Sequence, residues 1–133
     1  SYLKTRTSGK VNYQLDFPEK EEVLVPLNAA LFEWVIENLC KNAIDAMDGS
    51  GTITISLTDQ VQVVYLDVTD TGKGLPKSRY KTIFRPGYTS KKNGWGLGLS
   101  LAKRIVEFYH QGKIFVKSSE IDKGTTIRIV IKK

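Results

Sequence analysis

Residues 38–74 read NLCKNAIDAMDGSGTITISLTDQVQVVYLDVTDTGKG. Up to Met47 the apolar residues recur every three or four positions, the period of an amphipathic helix. Gly49-Ser50-Gly51 closes that helix. Ile53, Ile55 and Leu57 then alternate with Thr52, Thr54, Ser56 and Thr58, the two-residue period of a strand with one covered face. Asp59-Gln60 predicts a hairpin turn. Val61–Thr69 is mostly apolar on both faces, as a central strand is. Asp70–Pro76 (DTGKGLP) makes a glycine-rich turn where that strand ends.

Upstream, Asn28 caps a helix predicted over residues 29–48. Phe32, Ile36, Leu39, Cys40, Ala43 and Met47 share its core arc, and Glu33, Glu37, Lys41 and Asp48 share a solvent arc. Val11, Tyr13, Leu15 and Phe17 alternate with polar residues as a half-buried strand. Val23-Leu24-Val25 reads as a short strand closed by Pro26, and residues 1–10 as a loose lead-in. Downstream, residues 77–84 hold a short helix, and 85–95 (RPGYTSKKNGW) form a mobile loop. A second long helix spans 97–110. Strands at 112–118 and 125–131 are joined by a hairpin at 121–124. This order gives an α/β fold in two layers, with helices on one face of a mixed sheet.

The chain has 133 residues, the size of one domain. Hydrophobic residues make up 41% and charged residues 26%, which places the chain among globular rather than disordered sequences. No apolar run approaches the ~20 residues of a membrane span, and no signal-peptide pattern opens the chain. It begins at Ser rather than Met, as an excised piece of a longer protein would. With one Cys and one His, an internal disulfide and a Cys/His zinc site are both excluded. A Ser-His-Asp or Cys-His site would have to use His110. Twenty Lys and Arg against fourteen Asp and Glu leave a net charge of +6, which favours a polyanionic ligand such as nucleotide phosphates or nucleic acid.

Three segments carry chemistry. Asn38, Asn42 and Asp45 fall within roughly a 60° arc of the first helix, at about 100° per residue. The same arc could be ordinary solvated surface. Asn is a poor helix former, however, and amide oxygens suit a hard cation such as magnesium that bridges to phosphates. Asp70-Thr71-Gly72-Lys73-Gly74 is a turn by composition. It also puts a carboxylate where it can accept from an exocyclic amine such as that of adenine, with glycines that let backbone pass close to a ligand. Gly94-Trp95-Gly96-Leu97-Gly98-Leu99 leads into a helix N-terminus, whose free N–H groups attract anions. The chain holds no GxxxxGK[ST] loop, and the GxGxG spacing is not a dinucleotide fingerprint. Arg85, Lys91 and Lys92 could close over a triphosphate as a group.

The motifs stand in one order: Asn38-x-x-x-Asn42-Ala-Ile-Asp-Ala, Asp70-x-Gly72-x-Gly74, Phe84-x-Pro86-x-x-Thr89-x-Lys91, Gly94-x-Gly96-Leu-Gly98-Leu, and Gly124-Thr125-Thr126. Together they resemble the ATP-binding catalytic domain of sensor histidine kinases, in the superfamily shared with DNA gyrase, heat-shock chaperone ATPases and mismatch-repair ATPases. The resemblance runs from about Asn28 to Ile131. It implies a Bergerat-type two-layer sandwich, with about three helices on a mixed, mostly antiparallel sheet. ATP would lie between the helices and a lid at 85–95. The resemblance makes Asn42 the magnesium ligand and puts Asn38 beside the phosphates, where the chaperone branch has a catalytic glutamate. Asp70 would bind the adenine amine, helped by Thr125 through water, with Gly72 and Gly74 flanking the base. Gly94, Gly96, Leu97, Gly98 and Leu99 would form the lid hinge and offer N–H groups to the phosphates. Lys91 would approach the γ-phosphate.

Three positions depart from the family pattern: Asp45, where many relatives carry a basic residue, Trp95 in the lid, and Gln111 in a His-Gly-Gly. The implied activity is that of a protein-histidine kinase in a bacterial two-component system. The γ-phosphoryl acceptor would be a histidine on a separate dimerisation domain of the same parent, with a response regulator downstream. The fragment would be monomeric and cytoplasmic, and the parent a homodimer that a membrane anchor could hold. Nucleic acid is not implied, because the strands offer no aromatic stacking ladder. The alternatives within the superfamily are an ATPase switch, which Asn38 in place of glutamate disfavours, and an anti-sigma-type serine kinase or nucleotide-sensing module.

Overall fold

The computed structural model describes residues 2–17, 27–88 and 98–133. Strands β1 (Tyr2–Ser8) and β2 (Val11–Phe17) form an antiparallel hairpin. Helix α1 (Ala29–Ala46) follows, then strands β3 (Gly51–Asp59) and β4 (Val63–Asp70). Two 3-10 turns, Lys77–Arg79 and Thr82–Phe84, precede helix α2 (Gly98–Arg104), which runs into a π-helical turn at Ile105–Tyr109. Strands β5 (Lys113–Glu120) and β6 (Gly124–Lys132) complete the order.

The six strands among the described residues join one sheet, β1-β2-β3-β4-β6-β5. Neighbours are antiparallel except β2 and β3, which run parallel. Parallel neighbours need a crossover, and α1 lies in that connection. The alternation in β3 and β6 decides the layers. Ile53, Ile127, Ile129 and Ile131 are buried on the face that α1 covers with Val35, Leu39 and Ala43, and α2 adds Ala102 and its π turn Val106. The result is the expected mixed sheet with helices on one face. On the other face, Arg128 forks onto Asp67 through two bonds of 2.9 Å and lies 4.2 Å from the Tyr65 ring centre. This pins β4 to β6 through a bidentate pair, the strong form of such a bond.

Helix α1 starts where its cap predicts, with Asn28 Oδ1 accepting from the Leu31 N–H at 3.1 Å. Its solvent arc, Glu33, Glu37 and Lys41, is exposed, but the helix ends at Ala46 rather than at 48, so Asp48, at φ +53°, is exposed in the turn beyond it. On the core arc Leu39, Ala43 and Met47 are buried, while Phe32, Ile36 and Cys40 are only half-buried. Val35, outside the expected set, is fully buried.

The structure corrects four other expectations. Residues 2–8 are a strand rather than a loose lead-in, because Tyr2–Ser8 pairs residue by residue with Val11–Phe17. The β3–β4 turn takes residues 60–62, closed by the Gln60 N–H on the Val63 carbonyl at 3.0 Å, so Val61 lies outside β4 and is 91% exposed. Residues 77–84 form two separate 3-10 turns. The second long helix widens at Ile105, where the His110 ring takes the Ile105 carbonyl at 3.0 Å and the Gly112 N–H takes that of Val106 at 2.9 Å. The strand expected at Val23–Val25 lies outside the described residues.

Candidate functional site

Asp70 is the last residue of β4, on the face turned toward the helices, and it is 6% exposed. Its Oδ1 accepts from the Gly72 N–H at 2.8 Å and the Thr125 N–H at 3.3 Å. The first bond folds the chain sharply at the strand end, as Asp side chains do in turns. Its Oδ2 has no hydrogen-bond partner among the described residues. Burial raises the Asp70 pKa above the ordinary carboxylate value, and the two N–H bonds only partly counter it. One oxygen is thus fixed by the protein and the other is left for a donor.

The loop after Asp70 is held on two sides. Gly72 packs on the end of α1, where an added Cβ would stand 2.5 Å from the Ala46 carbonyl oxygen. The neighbouring Lys73 N–H bonds that same oxygen at 2.9 Å. Gly74, at φ +76°, lies against the Glu120 backbone, and Asp122 N–H bonds the Lys73 carbonyl at 2.8 Å. These glycines, expected beside a ligand, have protein backbone as their nearest neighbours. Close approach of chain to chain is what they permit here.

The polar stripe of α1 ends at this loop. Asn38, Asn42 and Asp45 are all half-buried, between the exposed and core arcs. Asn38 turns its Nδ2 back onto the Trp34 carbonyl at 2.8 Å. Its Oδ1 faces the start of α2, 3.1 Å from where a side chain on Gly98 would begin. Among the described residues the Asn42 amide has no hydrogen-bond partner. A half-buried amide oxygen of this kind fits a hard cation that keeps most of its shell for water and phosphate. No cluster of three or more His, Cys, Asp or Glu gathers among the described residues. Leu99 is half-buried in the first turn of α2. Lys91, Gly94, Gly96 and Leu97 lie outside the described residues.

Thr125, 8% exposed, is the second residue of β6 and lies opposite Asp70. Its Oγ1 lies 2.7 Å from Ser119 Oγ, which also accepts from the Leu75 N–H at 2.7 Å. Among the described residues, Ser119 is a polar hub of the site that the sequence reading missed. The expected hairpin at 121–124 would have set Glu120 across from Thr125; the turn is one residue shorter, 121–123, and this puts Ser119 opposite Thr125. His110 has both ring nitrogens engaged. Nε2 accepts from the Asn28 N–H at 2.8 Å, and Nδ1 meets the Ile105 carbonyl at 3.0 Å. Burial and the nearby Glu37 charge push the Cys40 thiol up, which suits inert packing.

The family model described as histidine kinase-, DNA gyrase B- and HSP90-like ATPase matches residues 28–133. Sporulation kinase A of Bacillus subtilis (strain 168) is 36% identical over 111 residues, which is 84% of this chain and 18% of that protein. Sensor histidine kinase ZraS of Escherichia coli (strain K12) is 40% identical over 95 residues, 71% of this chain and 20% of that protein. The chain therefore spans well under half the length of either kinase. The solved catalytic domain of histidine kinase ThkA, nucleotide-free, superposes with a TM-score of 0.80 at 30% identity, covering 93% of this chain and 80% of that one. ThkA in complex with the response regulator protein TrrA matches with a TM-score of 0.73 at 30% identity, over 91% of this chain and 34% of that one.

Proposed function

The chain belongs to the histidine kinase-, DNA gyrase B- and HSP90-like ATPase family, and from that membership we propose that it is the Mg-ATP-binding catalytic part of a two-component sensor kinase. It binds ATP and presents the γ-phosphoryl group to a histidine on a dimerisation domain of the parent protein, from which a response regulator is charged. The observation that carries this reading is Asp70. Its Oδ1 is held by two N–H groups and its Oδ2 is open, so a buried acceptor waits at the floor for the adenine amine.

The chemistry is positioning. Phosphoryl transfer asks little covalent work of the protein, so binding the base in one place sets the line of attack. Asp70 and Thr125 fix the adenine, and Asn38 lines the phosphate side as a neutral amide. Magnesium, when bound at Asn42, supplies charge neutralisation at the phosphates. Lys91 and the N–H groups of Gly94, Gly96, Leu97, Gly98 and Leu99 complete the phosphate side in this reading. Asn38 cannot activate water as a glutamate would, which favours transfer over hydrolysis. His110 is a poor acceptor, because both of its nitrogens are already committed within the domain. The reading puts the ATP site in the cytoplasm, with the fragment a monomer and the parent a dimer. No helix of the described residues is long and apolar enough to cross a membrane.

The test is to incubate the parent protein and this chain separately with γ-labelled ATP and magnesium. Acid-labile, base-stable label on the parent and none on this chain is the expected result. Acid-stable label, or turnover without protein-bound label, would move the assignment to the serine-kinase or ATPase-switch branch.

A further inference from the structure

From Thr71 to Val106 the chain holds nine Lys and Arg and no Asp or Glu, while the other 97 residues hold eleven against fourteen. The positive charge of the chain therefore comes from this stretch, and the remainder is net negative. Lys73, Lys77, Arg79, Lys81 and Arg85 lie on the run that leaves the Asp70 corner, and all five are exposed. Lys73 lies beside the β5–β6 hairpin, which carries Glu120 and Asp122, so the one-sign strip begins at Lys77. Among the described residues, Lys77, Arg79, Lys81 and Arg85 have no ion pair. The residues around these cations fix the strip. The Tyr80 hydroxyl donates to the Ser119 carbonyl at 3.2 Å, the Leu75 N–H donates to Ser119 Oγ at 2.7 Å, and Ile83 and Phe84 are buried. The second 3-10 turn packs on α2, whose first residue, Gly98, faces Asn38. The strip thus runs from the base end of the proposed site to its phosphate end.

We propose that Lys77, Arg79, Lys81 and Arg85 form an electrostatic guide that speeds capture of the polyanionic nucleotide without holding it once bound. The proposal rests on the reading of the Asp70 corner as the ATP site. A diffusing anion feels the summed field of fixed charges over about a Debye length, ~8 Å at physiological salt and ~30 Å at 0.01 M. Four anchored cations beside the site attract it there, and the net-negative remainder of the chain turns it away elsewhere. Charges at the rim of a site change the association rate and its salt dependence, whereas groups that pair with the bound ligand change dissociation. The strip lies along the site rather than on the bare face of the sheet, which favours a ligand of that site over an acidic protein partner.

The test is stopped-flow binding of ATP with a fluorophore on its ribose, magnesium present, to three chains: the wild type, Lys77→Glu with Lys81→Glu, and Lys113→Glu with Lys132→Glu. The last pair makes the same change in net charge at the opposite end of the sheet from Asp70, where β5 starts and β6 ends. At low salt the strip variant should associate roughly 5-fold more slowly, a share of the ~10-fold or more that one-sign fields give, with dissociation unchanged. The difference should fade near 1 M salt, where the Debye length is ~3 Å, and the sheet-end variant should track the wild type. Association of the strip variant at the wild-type rate overturns the proposal and leaves the strip to an acidic macromolecule. Equal slowing by both pairs, or faster dissociation with unchanged association, overturns it as well. If thermal melts show that the strip variant does not fold, the wild type still decides, since association that does not slow as salt rises refutes a guide. A wild-type chain that binds no ATP would instead bring down the nucleotide reading itself.

Discussion

Replacing Asp70 with Asn changes one atom of the floor and little else. In the native chain Oδ1 accepts from the Gly72 and Thr125 N–H groups, at 2.8 and 3.3 Å. An asparagine carbonyl oxygen can take over both bonds, which leaves its NH2 where Oδ2 was. Two donors, this NH2 and the adenine amine, would then face each other in a buried corner. A buried mismatch of that kind costs ~1–3 kcal/mol, which is ~5- to ~150-fold in Kd. Inosine triphosphate presents a carbonyl at the same place, so Asp70→Asn should bind it better than the wild type does. Calorimetry with both nucleotides reads the two effects at once. Weaker ATP binding alone could come from a disturbed loop, but a crossed change in preference could not. Unchanged ATP affinity, or equal loss for both nucleotides, would refute the assignment of Asp70 to the purine C6 substituent.

Two further substitutions probe the surroundings. Asn42→Ala should abolish the strengthening of ATP binding by magnesium, read from titrations with and without the ion, and equal strengthening in the variant would remove Asn42 as the ligand. Gly72→Ala should destabilise the fold by ~1–3 kcal/mol, because the new Cβ meets the Ala46 backbone at 2.5 Å and a packed backbone yields little. Thermal unfolding checks it, and a melting temperature equal to that of the wild type would show that the α1–loop contact is looser than the structure has it.

What was legible in the sequence was whatever local pattern determines. The α1 cap at Asn28, the alternation of β3 and the Asp at the end of β4 each follow from residues within a turn or two, and each stands where the pattern puts it. What was not legible depended on partners distant in the chain. Residues 2–8 carry little apolar alternation, and they are a strand only because β2 offers seven paired positions beside them. Val35 fell outside the expected core arc, yet α1 sits on the sheet so that Val35 is covered completely. Ser119 looks like one more polar residue near a strand end until its hairpin partner and Leu75 are brought to it. Gly72 and Gly74 were expected to let the backbone pass close to a ligand, but composition cannot say whether ligand or backbone approaches. In this fold the α1 end and the β5–β6 hairpin do.

The same burial that makes Asp70 a base acceptor costs the empty domain stability, and pH exposes the cost. Desolvation raises the Asp70 pKa in the folded state above its ordinary 3.8, and it outweighs the two N–H bonds that lower it. A carboxyl with a raised folded pKa favours folding fully below the unfolded value and loses that contribution as pH rises through the folded one. Below 3.8, Asp70 is protonated in both states, and it behaves much as an asparagine would. Above the raised value it is charged in both states, and only the folded state carries the desolvated charge. Asp70→Asn should therefore be more stable than the wild type at neutral pH. The gap should close as pH falls through the window between the raised value and 3.8. Bound ATP changes the balance, because an amine donating to Oδ2 stabilises the carboxylate. Saturating ATP should then narrow or reverse the neutral-pH gap, and ATP affinity should drop as pH enters the same window. Urea titrations of both proteins at several pH values, with and without ATP, measure each part. A variant no more stable than the wild type at neutral pH, or a gap that ignores pH, would mean that the N–H bonds outweigh burial and that the floor is built for the charge before any ligand arrives.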